Sequence, residues 1–94
     1  MKLERKFFEM ELKDKKVMVV GTGISGIGAT KLLYSVGAKV VLYDGNEKLI
    51  EADVLDKLEG SKAEIIIGRL EESVVKTVDL VIISQYHNQS AHQD

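Results

Sequence analysis

"VMVVGTGISGIGATKLL", residues 17–33, is the stretch of sequence that decides the fold. The apolar run that ends at Val20 predicts a β-strand, and the apolar spacing that follows Gly26 predicts a helix. Between them, residues 21–26 read GTGISG and fit the G-x-G-x-x-G pattern of phosphate-binding turns. The pattern is specific only in this context, directly after a strand and before a helix.

The glycines of this turn have separate expected roles. Gly21 allows the tight turn, Gly23 lets the backbone approach a phosphate, and Gly26 or Gly28 lets the helix lie near the strand. The backbone amides of residues 24–26 lie at the amino terminus of the predicted helix, where unpaired N–H groups and the helix dipole attract anions. A tight turn that binds nothing is the alternative, and the pattern alone leaves it open.

A P-loop is the nearest competing interpretation of the same stretch. Gly23 and Gly28 have the spacing of the two Walker glycines, which Lys and then Ser or Thr must follow directly. Here Ala29 stands at the lysine position, and Lys31 comes two residues late. We therefore expect no nucleoside triphosphate chemistry from this loop.

The rest of the chain alternates apolar runs with helical patterns. Predicted strands cover residues 16–20, 39–43, 64–67 and 79–84, and predicted helices cover residues 25–36, 47–59 and 71–77. Each helix is expected to bury one apolar face. The face of the first helix comprises Ile27, Leu32, Leu33 and Val36, that of the second Leu49, Ile50, Val54, Leu55 and Leu58, and that of the third Val74, Val75 and Val78. Strands that are apolar throughout indicate a parallel sheet covered on both faces. Right-handed crossovers then predict a Rossmann-like, three-layer α/β/α fold with a four-stranded parallel sheet in the order 3-2-1-4.

Length and composition indicate a single small domain. A chain of 94 residues supports one core, and its net charge of -2 argues against general nucleic-acid binding. No apolar run is long enough to span a membrane, so a cytoplasmic location is the default expectation. The absence of cysteine excludes thiolate metal sites, and His87 and His92 have no third ligand at a suitable spacing, so no metal site is expected. We divide the chain into a lead-in (1–14), the domain (15–84) and a polar, disordered tail (85–94).

Asp44 is the second informative residue. It ends the second strand about twenty residues after the first glycine, where dinucleotide-binding folds place an acid that accepts hydrogen bonds from a ribose. Asp44-Gly45-Asn46 is also a strong turn signal, in which the aspartate bonds its own backbone. The sequence leaves both roles open.

Two segments, KDKKVMVVGTGISGIGATKLLYSVGAKVVLYDGNEK and AEIIIGRLEESVVKTVDLVIIS, resemble the amino-terminal domain of the UDP-N-acetylmuramoylalanine–D-glutamate ligases, the D-glutamate-adding Mur ligases. The resemblance extends over residues 12–84. It implies that the domain binds UDP-MurNAc-L-alanine, with the glycine turn at the diphosphate and the end of the second strand at the uracil. Carried onto this sequence, the diphosphate residues are Gly21, Gly23, Ile24, Ser25 and Gly26, and the uracil and ribose residues are Asp44, Gly45, Gly68 and Arg69.

The resemblance also implies an ATP-dependent reaction in the whole enzyme. UDP-MurNAc-L-alanine and D-glutamate are joined by an amide bond through an acyl phosphate, with ATP and Mg²⁺ bound by domains that this sequence lacks. The family continues its fourth strand into Ser-Pro-Gly and adds a fifth strand, whereas Ser84 here precedes Gln85.

We therefore expect a truncated fragment that anchors substrate, has no catalytic residue and no cofactor of its own, and self-associates through an exposed sheet edge. Two alternatives stay open. One is a small NAD-binding regulatory module, in which Asp44 binds the adenosine ribose. The other is a structural or dimerising remnant with an empty loop.

Overall fold

The computed structural model describes residues 11–84, which form a parallel sheet with a helix in each crossover. The strands are β1 (Lys16–Val20), β2 (Lys39–Asp44), β3 (Glu64–Ile67) and β4 (Leu80–Ile83), and the helices are α1 (Ile24–Ser35), α2 (Glu51–Leu58) and α3 (Glu72–Val75). The strand order is β3-β2-β1-β4, with every pair parallel. The predicted Rossmann-like fold and its strand order are confirmed. The chain before residue 11 and the tail from residue 85 lie outside the described residues, so the proposed division of the chain stays a prediction.

β1 lies inside the sheet because its side chains are apolar on both faces. Val17, Met18 and Val19 are each at most 1% exposed. The register aligns Met18 with Val41 of β2 on one side and with Val81 of β4 on the other. The carboxyl ends of these three strands therefore share one edge of the sheet, and the glycine turn leaves β1 at that edge.

The main core lies between one face of the sheet and helices α1 and α2. Its buried side chains are Val17, Val19, Ile27, Leu33, Ala38, Val40, Leu42, Val54 and Leu58. The chain segment that contains α3 connects β3, at one edge of the sheet, to β4 at the other edge, in the direction opposite to the earlier connections. Because connections between parallel strands are right-handed, α3 lies on the face of the sheet opposite to α1 and α2. This arrangement satisfies the three-layer architecture expected from the strand pattern.

The predicted apolar face of α2 is only partly correct. The helix begins at Glu51 rather than at residue 47, so Leu49 and Ile50 precede it, and Ile50 is 61% exposed. Within α2, Val54 and Leu58 are buried, whereas Leu55 is 46% exposed. A helix of eight residues faces the sheet with only a narrow stripe of side chains, which are four residues apart in the sequence. Its other apolar side chains therefore face outward.

The predicted apolar faces of α1 and α3 are also only partly correct. Leu32 of α1 and Val75 of α3 are each 40% exposed, although both were expected to point inward. In α1 the inward face instead includes Thr30, which is fully buried and donates its hydroxyl hydrogen bond to the Gly26 carbonyl at 2.9 Å. A threonine that bonds the preceding turn of its own helix is buried without an unsatisfied polar group.

β4 is an edge strand within residues 11–84. It pairs with β1, and Leu80, Val81 and Ile83 are 42%, 44% and 57% exposed. The expectation that both faces of every strand are covered is therefore wrong for β4 in the described part of the chain. No helix there is long and apolar enough to cross a bilayer.

Candidate functional site

The glycine loop, residues 21–26, borders a cleft at the carboxyl ends of β1, β2 and β4. We call this space the loop cleft. Its volume is about 440 Å³, and it is lined by Val20, Gly21, Thr22, Gly23, Asp44, Gly45, Ile83 and Ser84. β1 is flanked by β2 and β4, whose connections run in opposite directions along the sheet. The loop cleft is thus at the topological switch point, where doubly wound sheets bind their ligands.

The amino terminus of α1 has no hydrogen bond from a capping side chain. Gly23 is the N-cap residue, and the first turn contains no acidic side chain. The first intrahelical hydrogen bond runs from the Ile27 amide to the Gly23 carbonyl, at 2.9 Å. The amides of residues 24–26 come before that bond and have no partner within the helix, so they form the anion-attracting end of α1.

Two glycines of the loop are required by the fold itself. Gly21 has φ +114°, a conformation that side-chain-bearing residues avoid. A Cβ atom on Gly26 would lie 1.8 Å from the Gly21 carbonyl oxygen, whereas a Cβ on Gly28 would meet nothing within 4 Å. Gly26 is therefore the residue that lets the helix approach the strand, which settles the choice that the sequence left open.

Gly23 differs from both. Its φ of -75° and ψ of -171° are ordinary extended values. A Cβ there would meet nothing within 4 Å. The fold of the free protein gives no reason for a glycine at this position, which borders both the loop cleft and a neighbouring groove along α1.

Asp44 joins the glycine loop to the turn after β2. Its Oδ2 accepts hydrogen bonds from the amide and the hydroxyl of Thr22, at 3.0 and 2.8 Å. Its Oδ1 accepts one from the Asn46 amide, at 2.9 Å. The predicted turn role of Asp44 is thus present, together with a contact across the cleft that the sequence did not indicate.

The hydrogen bonds lower the pKa of the Asp44 carboxyl. Partial burial acts to raise the pKa of its carboxyl, but the bonds from Asn46 and Thr22 stabilise the charged form and leave the pKa below its ordinary value. A carboxylate accepts hydrogen bonds and repels phosphate. The end of the loop cleft at Asp44 therefore suits an N–H or O–H donor of a ligand, while the end of α1 suits an anion.

Comparison with known proteins identifies the family of the chain. The family described as "Mur ligase MurD-like, N-terminal domain" matches residues 15–85. The chain belongs to this family. Over 75 residues the MurD-like domain is 60% identical to the UDP-N-acetylmuramoylalanine--D-glutamate ligase of Lachnospira eligens. The ligases of the same name from Lachnoclostridium phytofermentans and Caldanaerobacter subterraneus are 41% and 36% identical to it. Each match covers 80% of this chain and 17% of the relative, so the chain spans about one-sixth of their length.

The loop cleft of the MurD-like domain brings together only some of the predicted site residues. Gly21, Gly23, Asp44 and Gly45 line it. Ile24 lines a neighbouring groove of about 400 Å³, and Ser25 is exposed beside it.

Gly68 and Arg69 do not line the loop cleft. The Gly68 amide donates to the Asp44 carbonyl at 2.8 Å, and the Gly68 carbonyl accepts from the Tyr43 hydroxyl at 2.7 Å. The Arg69 side chain is 84% exposed and pairs with Glu71. Contacts of these two residues with a nucleoside stay predictions.

Thr22, Ile83 and Ser84 line the cleft of the MurD-like domain, yet sequence reasoning did not assign them a role. Thr22 occupies a variable position of the glycine pattern, which carries no signal for its side chain. Ile83 and Ser84 end the fourth strand, and the rule that ligands bind beyond the carboxyl ends of parallel strands could have indicated them.

Lys31, the residue that comes too late for a P-loop, pairs with Glu59 at the carboxyl end of α2. Within residues 11–84, no group of three or more His, Asp or Glu side chains is arranged to hold a metal ion. His87 and His92 lie outside the described residues.

Proposed function

We propose that this MurD-like domain binds UDP-MurNAc-L-alanine for a ligase of peptidoglycan synthesis, which joins that substrate to D-glutamate. One observation carries the proposal: Gly23, the N-cap residue of the uncapped helix α1, and Asp44 line the same cleft. A nucleoside diphosphate has the matching chemistry, since its phosphates are anionic and its base and ribose carry hydrogen-bond donors. The names of the similar ligases contain UDP-N-acetylmuramoylalanine, the same nucleotide sugar.

In this proposal the diphosphate lies against Gly23 and the amides of residues 24–26. Backbone amides at a helix end bind phosphate without a basic side chain. The nucleoside extends toward Asp44 and Gly45, across the carboxyl end of β2. The apolar side chain of Ile83 lines the cleft opposite them.

The ligation itself belongs to other parts of the enzyme in this proposal. ATP, with Mg²⁺, would bind there and transfer its γ-phosphate to the substrate carboxyl with release of ADP, and the D-glutamate amine would then displace phosphate to form the amide. The present domain holds the substrate by its nucleotide, and the reaction takes place in the cytoplasm, where nucleotide-activated sugars and ATP are available.

Calorimetric titration with UDP-MurNAc-L-alanine, UDP and NAD tests the proposal. We expect binding of the sugar nucleotide and of UDP, and no comparable binding of NAD. Gly23→Val places a branched side chain in the open space before the loop and is expected to abolish UDP binding. Gly28→Val is the matched control, because a Cβ at Gly28 is equally free of contacts but lies outside the loop cleft. It is expected to bind UDP as wild type does.

Circular dichroism verifies that both variants are folded. If both valine variants bind UDP as wild type does, the loop is a tight turn that does not contact the ligand. Preferential binding of NAD would favour the regulatory alternative.

We also propose that the chain self-associates through β4. Large apolar side chains on this edge strand are exposed, and edge strands offer unpaired backbone groups to a second chain. Sedimentation of wild type should show a concentration-dependent dimer. Val81→Lys should shift the protein toward monomer, whereas Leu32→Lys, at a similarly exposed residue of α1, should not. A monomer at all concentrations would contradict this proposal.

A further inference from the structure

We infer that Thr22 is the positioning residue of the loop cleft: it clamps one oxygen of Asp44, fixes the glycine loop against β2, and leaves Asp44 one acceptor site for a ligand. The ligand part of this inference rests on the proposed function. The clamp itself is a property of the free protein.

The clamp consists of two hydrogen bonds from one residue to one atom. The Thr22 amide and hydroxyl both donate to Asp44 Oδ2, at 3.0 and 2.8 Å. Thr22 is only 6% exposed and Asp44 is half-buried, so water competes only in part for the oxygen that Thr22 holds. The loop before α1 is thereby joined to the end of β2, two segments separated by 22 positions in the chain.

The clamp also determines what Asp44 can offer to a ligand. A carboxylate has about four acceptor sites, two on each oxygen. Thr22 fills both sites of Oδ2, and the Asn46 amide fills one site of Oδ1. One site therefore remains, on Oδ1. Asp44 can accept a single donor from a nucleoside, whereas gripping both hydroxyls of a ribose through its two oxygens would require breaking the clamp.

The Thr22 side chain can be separated into its two properties by substitution. Thr22→Val keeps the shape and removes the hydroxyl, and Thr22→Ser keeps the hydroxyl and removes a methyl group. Thr77→Val is the matched control, since the Thr77 hydroxyl also donates a hydrogen bond, to the Val74 carbonyl at 2.7 Å, but at an exposed position in the turn after α3.

The first measurement needs no ligand. Carbon-detected NMR titration of the Asp44 carboxyl gives its pKa in the free protein. We expect a value below the ordinary aspartate range in wild type, Thr22→Ser and Thr77→Val, and a higher value in Thr22→Val. A residue that only fills space would not change this pKa. An Asp44 pKa that is the same in Thr22→Val and wild type overturns the clamp.

The second measurement is UDP affinity by calorimetry. We expect Thr22→Val to weaken UDP binding about tenfold, because only the backbone amide of residue 22 then joins the loop to Asp44, and Thr22→Ser to stay within about twofold of wild type. If Thr22→Ser weakens binding as much as Thr22→Val, the methyl group rather than the hydroxyl matters, and the inference is wrong.

The third measurement tests the single acceptor site. Amide hydrogen exchange of Thr22 should be slow in the free protein and remain slow in the UDP complex, because the ligand leaves Oδ2 to Thr22. Faster exchange on UDP binding would show that the ligand displaces the clamp, and would overturn this part. If wild type binds no UDP, the proposed function and the ligand role of Thr22 both fail, while the pKa comparison still decides the clamp.

Discussion

Gly26→Ala is the substitution whose effect the structure constrains most tightly. The added methyl carbon would lie 1.8 Å from the Gly21 carbonyl oxygen and 2.7 Å from the carbonyl carbon. Real Cβ atoms essentially never come within 3.0 Å of another atom, so the loop and α1 must separate. The neighbour is backbone rather than a flexible side chain, so the clash can be relieved only by moving the glycine loop or α1.

The expected change in the free energy of unfolding is the sum of two opposing effects. Overpacking costs about 1–3 kcal/mol, and a clash with backbone belongs at the upper end of that range. Alanine is intrinsically better than glycine within a helix by about 1 kcal/mol. We therefore expect Gly26→Ala to lower the free energy of unfolding by about 2 kcal/mol, or roughly 10 °C in melting temperature for a domain of this size.

Gly28→Ala provides the control on the same helix. Nothing lies within 4 Å of a Cβ at this position, and Gly28 is exposed. Only the helix preference acts there, so this variant should be more stable than wild type by about 0.5–1 kcal/mol. Urea denaturation followed by circular dichroism measures both variants against wild type, with equal m-values as the check that the transitions are comparable.

The test is whether Gly26→Ala is less stable than Gly28→Ala. If Gly26→Ala is as stable as Gly28→Ala, the helix and the strand do not approach each other as described, and the glycine loop has a different conformation. UDP titration of Gly26→Ala adds a second readout, because displacement of α1 moves the amides of residues 24–26 and should abolish binding.

Three further predictions concern Asp44 and catalysis. Asp44→Ala should weaken UDP-sugar binding roughly tenfold to a hundredfold in calorimetry, since it removes an acceptor and the partner of Thr22. Asp79→Ala should leave binding unchanged, because Asp79 accepts the Lys16 amide at the opposite end of the sheet. The lowered pKa of Asp44 means that its contribution to stability is complete above about pH 4, the unfolded value, and is lost as pH falls through the folded value. The stability gap between wild type and Asp44→Asn should therefore close in acid denaturation series; a constant gap contradicts this. Finally, the isolated chain should release no phosphate from ATP with UDP-MurNAc-L-alanine and D-glutamate, and substrate-dependent release from pure protein would refute that.

The chain by itself determined the strand order and the place of the glycine loop in the sheet. Apolar runs that do not alternate identify parallel strands, and right-handed crossovers leave little choice about their order. The glycine pattern between a strand and a helix then places the loop at the carboxyl edge of the sheet. These inferences succeed because they depend on local periodicity and on chirality, both of which can be read from neighbouring residues.

The exposed faces of the helices could not be predicted in the same way. Leu55 and Val54 are adjacent in the sequence and both apolar, yet only Val54 is buried. The difference arises because adjacent residues lie about 100° apart around a helix, and only the stripe of α2 that contains Val54 and Leu58 faces the sheet. Helix length and rotation are set by packing against the sheet, and apolar spacing reports them only approximately.

Only the tertiary structure decided how the loop is held. The sequence offered Gly26 and Gly28 as equals, and the 1.8 Å approach to Gly21 selects Gly26. It also left Asp44 between a turn and a ligand contact, and gave no sign of its bonds to Thr22. Both facts depend on distances between segments that the chain brings together by folding. Residues far apart in sequence come within hydrogen-bonding distance because β1 and β2 pair in register, and no pattern along either strand contains that information.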